Sequence, residues 1–106
     1  MNLEQLNAMT DLELDEAVAL AQGWKYHIGK IRGDWWATSQ EEEIEDYHPT
    51  ANTTEGKAAC FDLMDKFNLT VDFDTGLVHW DDGWTIYNAN PQRAICEAVI
   101  LSAQEK

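Results

Sequence analysis

Residues 69–106, LTVDFDTGLVHWDDGWTIYNANPQRAICEAVILSAQEK, constrain the fold more than any other part of the chain. Apolar and polar residues first alternate, the mark of half-buried strands, across two turn signals, Thr75-Gly76 and Asp81-Asp82-Gly83. The period then changes. Ile95, Ala98, Val99 and Ser102 recur at helical spacing, with Ile100 and Leu101 widening the stripe. Asn90 is placed to cap that helix, Pro91 is pre-set for its first position, and Ala94, Ala98 and Ala103 allow close approach. The expected arrangement is an antiparallel meander over 69–88 followed by a helix at about 91–103.

Register follows from the turns. With Asp81-Asp82-Gly83 as a three-residue loop and Gly83 in the left-handed position, Trp80 faces Trp84 and Val78 faces Ile86. Keeping Phe73 on that face requires pairing with Val78 and a first loop of even length, most simply Thr75-Gly76. The inner face is then Leu69, Val71, Phe73, Val78, Trp80, Trp84 and Ile86; Asp72, His79, Thr85 and Tyr87 point away.

Upstream, Asn2 is placed to cap a short first helical turn. Thr10-Asp11-Leu12-Glu13 is a capping box, and Leu14, Ala17, Val18 and Ala21 continue it as a helix at about 11–22 that stops at Gly23. Asp15 and Glu16 are expected to face water. Trp24, Tyr26 and Ile28 alternate with Lys25 and His27, suggesting a half-buried strand, and residues 34–38 supply a second. Adjacent Trp35 and Trp36 cannot both face one core. Thr53 or Thr54 caps a helix at about 54–67, with a stripe of Cys60, Leu63, Met64 and Phe67 and Asn68 as a left-handed stop. Gly56 weakens its first turn by somewhat under ~1 kcal/mol. The class is α+β: one domain, 1–106, with an antiparallel three- to five-stranded sheet packed against helices at about 11–22, 54–67 and 91–103, the last two lying across the inner face of the meander.

Charge narrows the function classes. Seven Lys plus Arg against 20 Asp plus Glu give a net charge of −13, which repels nucleic acid and anionic membranes and steers the chain toward a basic partner or simply keeps it dissolved. Glu41, Glu42, Glu43, Glu45 and Asp46 fall within six positions, so residues 39–52 are expected to form an acidic loop, mobile at that end and tied down near Tyr47. No apolar run approaches the ~20 residues of a membrane span. The acidic N-terminus lacks a basic region followed by an apolar one, so a cytoplasmic location is expected.

Catalytic, cofactor and metal signatures are missing. His27, His48 and His79 have no shared ligand spacing, Cys60 and Cys96 match no zinc pattern and sit on helical core faces, and Asp72-Phe73-Asp74-Thr75-Gly76 lacks the closing Glu of a calcium loop. No Gly-x-Ser-x-Gly, P-loop or dinucleotide fingerprint is present, so no enzyme activity is expected. What remains is binding. Trp35, Trp36, Tyr47 and Tyr87 beside Glu41, Glu42, Glu43, Glu45 and Asp46 suit recognition of an Arg- or Lys-rich protein, though the same rings suit packing under the loop and against the outer sheet face better still. An exposed aromatic patch would allow a dimer without requiring one.

The segments MTDLELDEAVALAQGW, YHPT (47–50), the Trp-rich hairpin and NPQRAICEAVILSA resemble small tailed-phage and prophage proteins, in particular the group with a phage ABA sandwich domain. The similarity runs over roughly residues 10–103 and is most specific at 47–50 and at the PQRAIC helix start. It implies a layered α+β fold in a phage-encoded protein of unassigned role, acting in the cytoplasm of a bacterial host, and no catalytic residues. The acidic run at 41–46 departs from the pattern. Two functions are expected in order: a non-catalytic protein-binding accessory protein, then an acidic mimic of nucleic acid that inhibits a host defence or nucleic-acid enzyme.

Overall fold

The computed structural model describes residues 3–28, 33–80, 84–88 and 90–104. In chain order the elements are α1 (Leu3–Ala8), α2 (Asp11–Ala21), β1 (Lys25–His27), β2 (Trp35–Ala37), β3 (Glu43–Ile44), α3 (Thr54–Lys66), β4 (Thr70–Asp72), β5 (Leu77–Trp80), β6 (Trp84–Tyr87) and α4 (Pro91–Gln104). The class is α+β, with the strands divided between two antiparallel sheets, β1-β2-β3 and β4-β5-β6. The upstream strands are only two or three residues long and pair among themselves, while α3 separates them in sequence from the meander.

α4 is the hub. It is buried continuously over residues 94–100 and packs against α2, α3, β5 and β6. A helix that is covered all round needs apolar residues all round, and Ala94, Ile95, Cys96, Ala98, Val99 and Ile100 supply them. α3 packs mainly on α4 instead of spreading across the meander as expected. Arg93 ties the N-terminal helices down: Nη1 donates to Asp11 Oδ1 (2.8 Å) and Nη2 to the Leu6 carbonyl (3.1 Å).

The helix ends follow local chemistry. Thr10 and Glu13 form the reciprocal capping box, Thr53 Oγ1 accepts from Gly56 N (3.0 Å), and Asn90 Oδ1 accepts from Gln92 N (3.0 Å). Gly23 and Asn68 take the left-handed backbone (φ 81° and 54°) just past α2 and α3. The Asn2 cap lies outside the described residues.

In the meander, Val78 pairs with Ile86 and Trp80 with Trp84, as the turn chemistry predicts; loop 81–83 and the Trp84 side chain lie outside the described residues. The first hairpin differs. Val71, not Phe73, pairs with Val78, a shift of two residues that preserves the inward face but ejects Phe73 into a four-residue loop, 51% exposed. Asp72 causes this: its Oδ1 accepts from the amides of Asp74 (3.0 Å) and Thr75 (3.3 Å), and its carbonyl from Gly76 N (2.8 Å). Gly76 has φ 78°, and a Cβ there would lie 2.1 Å from the Asn88 carbonyl. Phe73 meets Phe61 of α3 instead, ring centroids 6.2 Å apart.

Two upstream expectations also change. β1 is exposed along its length, including Tyr26 and the following Ile28, because so small a sheet covers little more than Trp24 and Trp36. Asp15 is 3% exposed rather than turned to water. Its Oδ1 accepts from the Thr50 amide (2.9 Å) and its Oδ2 lies 3.1 Å from His48 Nδ1, so α2 grips the 48–50 turn. Cys60 Sγ donates to the Pro49 carbonyl (3.0 Å), and Gln92 Nε2 donates to the carbonyls of Pro49 (2.9 Å) and Ala51 (2.7 Å). Gly56 is required rather than merely tolerated here, since a Cβ would lie 2.2 Å from the Ala51 carbonyl.

Candidate functional site

The acidic stretch 39–52 is not all loop. Thr38 closes a tight turn: its amide donates to the Glu42 carbonyl (2.9 Å), its carbonyl accepts from Glu41 N (3.0 Å), and its Oγ1 accepts from Glu42 N (3.1 Å). Glu41 takes φ 64°, and Glu43–Ile44 then returns as β3, with Ile44 opposite Trp36 and Glu43 opposite Ala37. Strand alternation divides the neighbours between two faces. Glu41 and Glu43 border a depression with Lys25, His27 and Trp35, where Trp35 stacks on His27 (5.2 Å, 13°). Trp36, 7% exposed, joins Ala19 and Trp24 in a small second core under Ile44 and Tyr47.

On that inner side a groove of about 570 Å³ runs between β3 and α3. Trp24, Ile44 and Tyr47 contribute its apolar lining, and Glu42, Asp46, Glu55 and Asp62 its charge. Trp24 and Tyr47 meet at 4.5 Å with rings tilted by 60°. Tyr47 Oη accepts from Gln22 Nε2 (2.9 Å), and burial, partly offset by that bond, pushes the phenol far above its ordinary range, so it stays neutral. Gln22 Oε1 in turn accepts from Lys66 Nζ (2.9 Å), which pairs with Asp62 Oδ2 (3.2 Å) and lies 5.4 Å from the Trp24 ring centre. The groove therefore already holds one ammonium group over an aromatic face, beside a carboxylate.

Of the residues expected to bind a partner, Glu42, Asp46 and Tyr47 line this groove and Trp36 lies beneath it. Trp35, Glu41 and Glu43 border the other face, Glu45 is exposed, and Tyr87 stands apart in β6 of the other sheet, 60% exposed. Sequence reasoning missed Gln22, Trp24, Glu55, Asp62 and Lys66. Glu55, Asp62 and Lys66 share one flank of α3 at helical spacing, a visible signal, but nothing local aims that flank at residues 42–47.

Other chemistry is weaker. Among the described residues no three of His, Cys, Asp and Glu are grouped so as to hold a metal ion. Cys60 and Cys96 are buried neighbours; their mutual hydrogen bond pushes the Cys96 thiol well up and the Cys60 thiol down, and Cys60, buried with its Sγ on the Pro49 carbonyl, is shut away from nucleophilic use. Among the described residues no helix is long and apolar enough to cross a membrane. Comparison with family models, with curated proteins and with solved structures finds no match.

Proposed function

We propose that the chain is a non-catalytic protein-binding module that takes a Lys- or Arg-bearing segment of a basic partner protein in the groove between β3 and α3. The observation that carries this reading is Lys66, whose ammonium rests over Trp24 and against Asp62 as a partner's cation would. The net charge of −13 would speed encounter with such a partner, and the ring face and carboxylates would hold it. A phage or prophage origin, with action in the cytoplasm of a bacterial host, is proposed with it on the resemblance at 47–50 and 91–96.

Titration of a tetra-arginine peptide, followed by tryptophan fluorescence, tests the groove. Saturable binding is expected, weakened at least tenfold in the combined Glu42→Gln, Asp46→Asn, Asp62→Asn variant. Lys66→Ala removes the resident cation and should tighten binding, whereas Lys57→Ala, the same charge change outside the groove, should not. Equal effects of the two lysine variants would reduce the interaction to net charge and overturn the site.

The alternative, an acidic mimic of nucleic acid, is favoured by the four carboxylates that β3, its flanks and α3 bring around one groove. Capture from bacterial lysate separates the readings. A nucleic-acid enzyme that is released by duplex DNA, by high salt and by changing Glu42, Asp46, Glu55 and Asp62 to their amides supports mimicry; a basic partner that DNA leaves in place supports the first reading.

A further inference from the structure

A second cleft, of about 310 Å³, opens on the other flank of α3, between that helix, the start of α4 and the β4–β5 loop. It shares no α3 residue with the acidic groove: Lys57, Cys60, Phe61 and Met64 face it, roughly half a turn round the helix from Glu55, Asp62 and Lys66. We propose that this cleft binds a small amphipathic carboxylate, of the class of a medium-chain fatty acid, with its tail against Phe61, Met64 and Phe73, above the buried Ile95, and its head beside Lys57.

Charge selects the head group. Among the described lining residues Lys57 alone is charged, and it is a cation in a chain with 20 acidic and 7 basic residues. Lys57 comes from the first turn of α3, and Pro91 and Gln92 from the first turn of α4, so the positive ends of two helix dipoles border the same space. The net negative charge opposes an anion only at long range. At physiological salt it is screened beyond about 8 Å, while a carboxylate at Lys57 is in contact.

The lining selects the tail. The thiol of Cys60 and the amide nitrogen of Gln92 are spent on the carbonyls of the 49–51 turn. Carbon and thioether surface makes up most of what remains, with Phe61 and Phe73 left 61% and 51% exposed at the edge. The volume lies at the low end of the ~300–1,000 Å³ of small-molecule sites, which favours a short tail.

Octanoate titrated into methyl-labelled protein tests this by NMR. Saturable shifts are expected at Met64 and Ile95, with octylammonium binding at least tenfold more weakly. Lys57→Gln, an exposed change that leaves the melting temperature in place, should cost about tenfold in octanoate affinity and nothing in octanol affinity. Phe73→Ala should weaken both ligands alike. No saturable shift, equal binding of the acid and the amine, or shifts confined to the Trp24 groove would overturn the assignment. So would Met64 and Ile95 shifts that follow protein concentration alone, which would make the cleft a contact with a second copy.

Discussion

Glu97 lies on α4 with none of its surface exposed, Oε1 accepting from Asn88 Nδ2 (3.0 Å) and Oε2 with no hydrogen-bond partner among the described residues. Burial raises its pKa above the ordinary 4.5, more than Asn88 and the Arg93 charge lower it. The folded chain therefore holds this proton more tightly than the unfolded chain, and stability falls as pH rises from 4.5 to the raised value. Glu97→Gln, which has no charge to bury, should stabilise the protein by about 1 kcal/mol at neutral pH. The gain should shrink toward zero near pH 4 in paired urea titrations. At Gly76, Ala would need a left-handed backbone and a Cβ 2.1 Å from the Asn88 carbonyl. We expect Gly76→Ala to cost about 2 kcal/mol or more, lowering the melting temperature by roughly 10 °C.

At the scale of elements, the 48–51 turn joins the helices. It receives hydrogen bonds from Cys60 of α3 and Gln92 of α4 and is gripped by Asp15 of α2. Segments 47–50 and 91–96 thus touch through Gln92 and Pro49, and that contact has a structural use independent of any partner. Asp15→Ala would leave the buried Thr50 amide without its acceptor, at about 1–3 kcal/mol. Hydrogen exchange at Thr50 should then accelerate strongly, while Asp15→Asn, which keeps an oxygen there, should retain most of the protection. Equal protection in both variants would show that Asp15 does not anchor the turn.

For the whole molecule, charge sets the background. Twenty acids against seven bases repel one another in the compact state, and the ion pairs of Arg93 and Lys66 neutralise little of that. Raising salt from about 0.01 M to about 0.15 M shortens the screening length from about 30 Å to about 8 Å. The melting temperature should rise by several degrees over that range in a salt that does not bind specifically, while capture of a basic partner weakens. A melting temperature indifferent to salt would mean that the carboxylates are too far apart to matter.

Local chemistry determined most of the elements: the capping box of α2, the left-handed stops at Gly23 and Asn68, the Asn90 cap, the α4 stripe and the second hairpin all rest on interactions spanning a few residues. The first hairpin was legible in face but not in loop length, because even loops of two and four residues preserve the same alternation. The acidic hairpin was invisible because Thr38 and Glu41 make its turn without a Gly or Asn in the tight positions. Tertiary structure alone decided that Asp15 turns inward, that Trp36 is buried while Trp35 stacks on His27, and that Glu55, Asp62 and Lys66 meet Glu42 and Asp46 across one groove. Those outcomes depend on which helix flank faces which distant segment, and packing around α4 sets that orientation.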